Sequence, residues 1–382
     1  MTVRIAILGG GIGGLATAAF LRRAGLTGTV YEQAAALTQV GAGLLITPNA
    51  ARLLRRLGVL DRLRGHALRL DVGWEFRRWQ DGTVLSSEDL STRCAGLYGD
   101  DIWTVHRADL LNALLPLVDR VELGRRCVAV DGGRLTFADG HTVEADVVVG
   151  ADGIHSIVRA ALFGDTPAAY SGLCAFRALV PSEVAPDFAR RPAQTLWIGP
   201  GRHLVHYPIA GGRLVNMVAV APAGDYTVES WTATATVAEL RAEFAGWDPR
   251  LTGLIESAAT LGRWALLDRP PLPHWSRGTT TLLGDAAHPM FPFYAQGAAQ
   301  AIEDAAGLAR CLAREGDPRA ALRAYETARI PRTTRLQQVS RGRAESNHLP
   351  DGPAQRERDA TFAQHDPLVA SGWIYGYDPE AP

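Results

Sequence analysis

The spacing of apolar positions changes period several times along the chain. Val3 to Leu8 is a short apolar, β-rich run bounded by glycines, the pattern of a buried parallel strand. Beyond Gly9-Gly10-Gly11-Ile12-Gly13-Gly14 the spacing predicts a helix from about Gly13 to Ala24, and "GTVYEQ" predicts a second strand ending at Glu32. "VGAGLLITPNAARLLRRLGVLDRL" reads as a glycine-rich loop leading into an amphipathic helix, and "VHRADLLNALL" as a helix with Arg107 just ahead of it. Ala145 to Gly150 is an apolar strand interrupted only by Asp146, and the following "ADG" is expected to begin another helix. From about Tyr170 to Leu267 the texture becomes strands with few helices: "YSGLCAFRALV", "TLWIG", "HLVHYPI" and "LVNMVAVA". That stretch predicts a mixed or antiparallel sheet, inserted before the strand-helix pattern returns at "TTTLLGDAAHP".

The fold class is therefore α/β with an α+β insertion and C-terminal helices. A Rossmann-like domain is expected from residues 1–70, 100–168 and 268–345, interleaved with a substrate-binding sheet domain from 71–99 and 169–267. Residues 346–382 follow as a C-terminal segment whose "SGWIYGYD" is expected to dock.

Gly9, Gly11 and Gly14 fit G-x-G-x-x-G after a strand and at the start of a helix, with Glu32 closing the next strand. In such a unit the first glycine permits the tight turn and the second lets backbone approach a pyrophosphate, while the third packs helix on strand. The helix N-terminus supplies NH groups and a favourable dipole, and the acid can bind the ribose hydroxyls. Dinucleotide binding follows, though this motif alone does not separate NAD from FAD.

"TLLGDAAHPMFPFYAQGAAQAIEDAAGLA", Thr281 to Ala309, carries a second signal. A buried strand ends at Asp285, and a helix start at Gln296-Gly297 returns to the same crevice, so a ligand is expected between them.

Composition narrows the chemistry. The chain has 382 residues and a net charge of -1, which provides no field for nucleic acid or anionic lipid. All 39 basic residues are arginine, so Schiff-base chemistry and a Walker-type phosphate loop, which need lysine, are excluded. Cys94, Cys127, Cys174 and Cys311 lack metal-type spacing, which favours unpaired thiols in a reducing, cytoplasmic setting and no structural zinc. The apolar N-terminus is broken by glycines too early for a signal peptide, and no run of 18 apolar residues predicts a membrane span. A monomer or a homodimer is compatible with these features.

Taken together, "GGGIGG" with Glu32, "GADGIHSIVR" and "LLGDAAHPM", in this order, resemble the group A flavoprotein monooxygenases. "RHLVHYPIAGGRLVN", "AQGAAQAIEDAA" and the tail look closest to the salicylate hydroxylase-like branch. The resemblance implies noncovalent FAD, with NADH or NADPH and O2 as co-substrates and no metal. It places Gly9, Gly11, Gly13 and Gly14 at the pyrophosphate, Glu32 at the adenosine ribose, Arg107 at the phosphates or ribityl chain, and Asp285 at a ribityl hydroxyl. Asp152 and Gly153 fall in a motif linked to both FAD and NAD(P)H. Pro292 would lie beside the isoalloxazine ring, and the NH groups near Gly297 and Ala298 would face its N1 and C2 carbonyl edge. Gln33, Gly43 and Val128 complete the implied cofactor contacts. The family reaction reduces FAD with NAD(P)H, adds O2 at the flavin C4a to give a hydroperoxide, and transfers oxygen to an electron-rich, typically phenolic, ring. Epoxidation, Baeyer-Villiger oxidation or reduction of a non-aromatic substrate stays open, as does flavin-dependent sensing without turnover.

A residue must also help remove the phenolic proton. Alternation along "HLVHYPI" puts His203, Val205 and Tyr207 on one face and Leu204, His206 and Pro208 on the other, with His206 and Tyr207 as candidates for the proton-handling role. Pro292 is a third catalytic candidate through its place beside the flavin. His288 reads as structural. Phe293 stands after the loop proline where several salicylate-type relatives carry histidine, so salicylate itself is not expected. Arg177 and Arg213 are the nearest arginines in sequence for a carboxylate.

Overall fold

The computed structural model describes residues 3–37, 42–226 and 233–381; Val40 and Gly41 of the expected glycine-rich loop lie outside them. A five-stranded parallel sheet forms the centre of one half, in the order Thr280–Leu282, Val147–Gly150, Ile5–Leu8, Gly28–Tyr31 and Arg120–Glu122. Ile5–Leu8 and Val147–Gly150 are buried at every residue, as strands covered on both faces must be. The helices Ile12–Arg23 and Gly297–Arg314 pack together on this sheet and share its apolar core. The first runs one residue ahead of the expected span, with Gly11 as its N-cap.

The inserted region builds an eight-stranded mixed sheet. Its order is Thr234–Ala235, Leu261–Asp268, Ala169–Pro181, Leu214–Pro222, Arg202–Ile209, Ala193–Gly199, Val72–Arg78 and Val84–Asp89. Only the pair Ala193–Gly199 and Val72–Arg78 runs parallel, because a long excursion through the first half separates the two strands. One face carries Phe176, Leu204 and Met217 against the short helices Val237–Glu243 and Pro249–Glu256. The opposite face carries Val205, Tyr207, Val218 and Val220 toward the parallel-sheet half and the loop Phe291–Phe293.

One local expectation changes. "ADG" does not itself begin a helix: the helix spans Ile157–Phe163, and the Asp152 carboxylate accepts from the NH groups of Ile157 at 2.9 Å and Val158 at 3.3 Å. Gly153, at φ +78°, makes the intervening turn that a residue with a side chain would resist. The expected C-terminal helices are present. A 30-residue helix, Pro318–Asn347, is followed by Pro353–Gln364, and the last residues cross the helices of the parallel-sheet half. Arg52 donates to the carbonyls of Tyr375 and Tyr377 at 2.9 and 2.8 Å, and Arg332 to those of Trp373 and Ile374 at 2.7 and 2.9 Å. No helix among the described residues is long and apolar enough to cross a membrane.

Candidate active site

The glycine loop is shaped by close approach. A Cβ on Gly14 would lie 1.9 Å from the Gly9 carbonyl oxygen, and one on Gly9 would lie 2.3 Å from that of Ala151. At Gly11 the nearest atom to such a Cβ is Arg107 Nη2 at 3.9 Å, so this glycine borders open space shared with the arginine. Helix Ile12–Arg23 has no side-chain cap at Gly11. Uncapped helix NH groups beside a guanidinium suit a pyrophosphate. Gly13 instead packs against Leu283 and Ala301, joining this loop to the Asp285 strand and its returning helix.

Glu32 accepts from Gly10 NH at 2.6 Å and from Ala34 NH at 2.8 Å, so its carboxylate holds the glycine loop as well as ending the second strand. Gln33 beside it is exposed. The pKa of Arg107 is lowered, chiefly by burial, while the carboxylates of Asp285 and Glu32 oppose the shift. Three residues far apart in sequence thus face one another across a crevice. Asp285 is open to that crevice although protein surrounds it, and this burial raises its pKa against the fields of His288 and Arg107. A Cβ on Gly297 would come within 4.0 Å of Asp285 Oδ1, which brings the helix start to the carboxylate as expected. Helix Gly297–Arg314 also lacks a side-chain cap. Pro292 is exposed at the head of a short turn, Pro292–Tyr294, and Ala295 adopts φ 52°, an uncommon left-handed conformation for a residue with a side chain. Ala298 is partly exposed at the same helix end, and Val128 is 46% exposed on the strand Cys127–Asp131. The uncapped helix ends, the open second glycine, Arg107 and Asp285 fit FAD as a donor and acceptor set.

The two strand candidates separate. His206 lies on the face away from the crevice, where its Nε2 accepts from Trp197 Nε1 at 3.3 Å and Phe188 meets its ring edge-on. Burial first, then the charges of Arg77 and Arg191, push its pKa down to about 3. A proton-handling role for His206 does not fit this position, and the reason is strand alternation. Tyr207 lies on the crevice face, and its hydroxyl donates to the Gly43 carbonyl at 2.9 Å. Burial raises its pKa, with Arg177 opposing, so the hydroxyl keeps its proton at neutral pH. Arg177 lies over Trp264 at 4.4 Å on the same sheet face, whereas Arg213 reaches the Gly65 carbonyl from an exposed turn. His203 packs edge-on to Phe293, and its Nδ1 is 2.7 Å from His348 Nε2.

Two groups of residues were missed by sequence reasoning. Asn216, fully buried, accepts from Gly43 NH at 2.8 Å through Oδ1 and ties the first half to the sheet beside Tyr207. Its signal was an amide inside the otherwise apolar "LVNMVAVA". Beneath the returning helix, Glu303 and Asp304 are fully buried with Arg329, which donates to them at 2.5 and 2.7 Å. Asp304 also accepts from Gly284 NH at 3.0 Å and pairs with His288 Nε2 at 2.6 Å, fixing the loop that presents Asp285. Adjacent acids inside "AQAIEDAAGLA" were the available signal.

The sequence model of the FAD binding domain family matches residues 2–115 and 129–340. The chain belongs to the FAD-dependent aromatic monooxygenases. A relative from Streptomyces platensis, described as a 3-amino-4-hydroxybenzoate 2-monooxygenase, is 45% identical over 98% of this chain and 96% of its own length. The 6-hydroxynicotinate 3-monooxygenase of Bordetella bronchiseptica is 40% identical over 98% and 95%. Among solved structures, Klebsiella pneumoniae HpxO complexed with FAD and uric acid superposes with a TM-score of 0.86 at 26% identity, covering 98% of this chain and 96% of that one. The monooxygenase is thus an aromatic hydroxylase using FAD, NAD(P)H and O2, and the non-aromatic alternatives and the sensor reading fall away.

Proposed function

We propose that this monooxygenase hydroxylates a single-ring phenolic acid of the hydroxybenzoate class, with amino-substituted hydroxybenzoates as the first compounds to try. The named activities of its relatives support that class: three of them are 3-amino-4-hydroxybenzoate 2-monooxygenases, at 42 to 45% identity. A cytoplasmic setting, which supplies NAD(P)H, suits it.

The observation that carries the residue assignment is the Tyr207 hydrogen bond. Because its O–H donates to Gly43, the tyrosine oxygen keeps lone pairs that can accept from a substrate hydroxyl. A phenol held this way shares its proton with a fixed acceptor, and the positive charge of Arg177 nearby favours the phenolate. Phe291 and Phe293 supply apolar ring faces that exclude water. Bound FAD supplies the activated oxygen. The chain places the ring, polarises its hydroxyl and keeps the crevice dry. Val128, Gln33, Gly43, Asp152 and Gly153 stay proposed cofactor contacts, with Asp152 acting through the turn it caps.

Tyr207→Phe tests this directly. It should leave FAD content and NAD(P)H oxidation largely intact while hydroxylated product per NAD(P)H falls and hydrogen peroxide rises, since loss of proton assistance costs about 10²- to 10⁴-fold in the assisted step. His206→Ala should retain wild-type coupling. If the two variants exchange these behaviours, the facing of the strand is wrong; if both stay fully coupled, the proton leaves by another route.

A further inference from the structure

Arg343 projects from the helix Pro318–Asn347 into a cage of four rings. Its guanidinium carbon lies 5.4 Å from the centre of Trp74, 4.9 Å from Phe76, 5.2 Å from Tyr294 and 6.0 Å from Phe362. Among the described residues no carboxylate reaches it and its buried Nε has no acceptor. Glu88 is the nearby acid whose field acts on it, yet both Glu88 carboxyl oxygens are themselves buried without partners. The two groups do not satisfy each other by a hydrogen bond or an ion pair. Arginine stays charged even when burial lowers its pKa, as here. A half-buried cation without an anion is poised for one that arrives from outside.

The cage adjoins the reaction crevice. Tyr294 belongs to the loop headed by Pro292 and shares an apolar cluster with Tyr207. The field of Arg343 also reaches His203, on the crevice face of the same strand as Tyr207. Trp74 is held at φ 36° in an irregular part of its strand, with its indole NH donating to Tyr375 Oη at 3.0 Å. Backbone held in so sparse a region is fixed by its surroundings and is commonest at ligand sites.

We propose that Arg343 is the specificity-determining residue that receives the substrate's carboxylate, with its aromatic cage holding the guanidinium in place and excluding water. This rests on the phenolic-acid reading above. A carboxylate there would accept two parallel N–H bonds from the guanidinium. Glu88, whose pKa burial raises to about 8, would face it as a neutral acid able to donate.

The experiment titrates the FAD-loaded enzyme with benzoate and with benzamide and follows the flavin absorbance. Wild type should bind benzoate at least about tenfold more tightly, since charge-assisted bonds are worth that much. Arg343→Gln should bring the two affinities within about threefold of each other by weakening benzoate alone, with FAD content and Tm held. Arg343→Lys, which keeps charge but not the planar fork, should fall between, and it decides the matter if the glutamine variant does not fold. Equal weakening of both ligands, or a wild type without preference for the acid, overturns the proposal. An Arg343-dependent preference without hydroxylation of any phenolic acid would instead remove the substrate reading and leave the anion site standing.

Discussion

Gly43→Ala probes the joint between the two halves of the molecule. Gly43 is not among the left-handed glycines, so alanine meets no backbone penalty and the effect isolates packing. The new Cβ would lie 2.7 Å from Asn216 Cβ and Cγ and 2.8 Å from Tyr207 Cε2, where carbon atoms prefer about 3.5–4.0 Å. Asn216 Cβ is fixed to a central strand and cannot swing away, so the sheet and the loop must separate by several tenths of an ångström or more. Overpacking of this kind costs about 1–3 kcal/mol, and straining the buried bond from Gly43 NH to Asn216 adds about 1–3 kcal/mol. With an unfolding entropy of about 2.1 cal/mol/K per residue over 382 residues, the sum lowers Tm by roughly 2.5–7.5 °C. The same separation moves the Tyr207 hydroxyl from its partner, and a displacement near 1 Å can cost about 10²-fold in a positioned step. Differential scanning fluorimetry of the FAD-loaded enzyme, with product and peroxide per NAD(P)H, reads both effects. A variant with Tm within a degree of wild type and unchanged coupling would refute the close-packed joint.

Asp285→Ala should weaken FAD retention by on the order of tenfold to a hundredfold, whereas Asp268→Ala should change it less than threefold, because Asp268 pairs with Arg341 at 2.6 and 2.9 Å. Fluorescence titration of the apoenzyme with FAD measures both, and equal affinities would sink the placement of Asp285. His206 contributes to acid sensitivity: its folded pKa, about 3, is below the ordinary 6.5, so protons favour the unfolded chain. The stability held by its neutral form is complete above pH 6.5 and declines by about 1.4 kcal/mol per unit below it until about pH 3. His206→Gln keeps an acceptor for Trp197, so its Tm should fall less steeply than wild type between pH 6.5 and 4; parallel curves would contradict the buried neutral state.

The architecture was legible where periodicity and turn chemistry agreed. Continuous apolar runs ending in glycine announced the parallel strands, because only strands buried on both faces can dispense with alternation. Alternation in "HLVHYPI" also gave the two faces correctly, but no local rule says which face meets the cofactor domain; packing of Leu204 against the helices Val237–Glu243 and Pro249–Glu256 decides it. The buried network of Glu303, Asp304 and Arg329 was illegible for a similar reason. Arg329 lies 25 and 26 residues from the two acids, and an acidic pair in a helix reads as solvated until its partner is known. Asp152 shows the converse: one oxygen of a motif acid caps the adjoining helix, while its Oδ1 is buried without a partner among the described residues.

The C-terminal crossing also sets the order of assembly. Arg23 and Arg56 near the start of the chain pair with Glu380, Trp74 bonds Tyr375 across 301 residues, and Arg52 holds the carbonyls of Tyr375 and Tyr377. None of these contacts can form until residues 375–380 have left the ribosome. The N-terminal strand-helix unit can emerge early, but its helices stay without these partners, and the wall that supports Trp74 stays unfinished, until Tyr375 to Glu380 follow. Contacts this distant close slowly and leave apolar surface waiting. These contacts therefore close late in assembly, and losing residues 373–380 would act as an assembly defect that reaches Arg23, Arg52, Arg56 and Trp74.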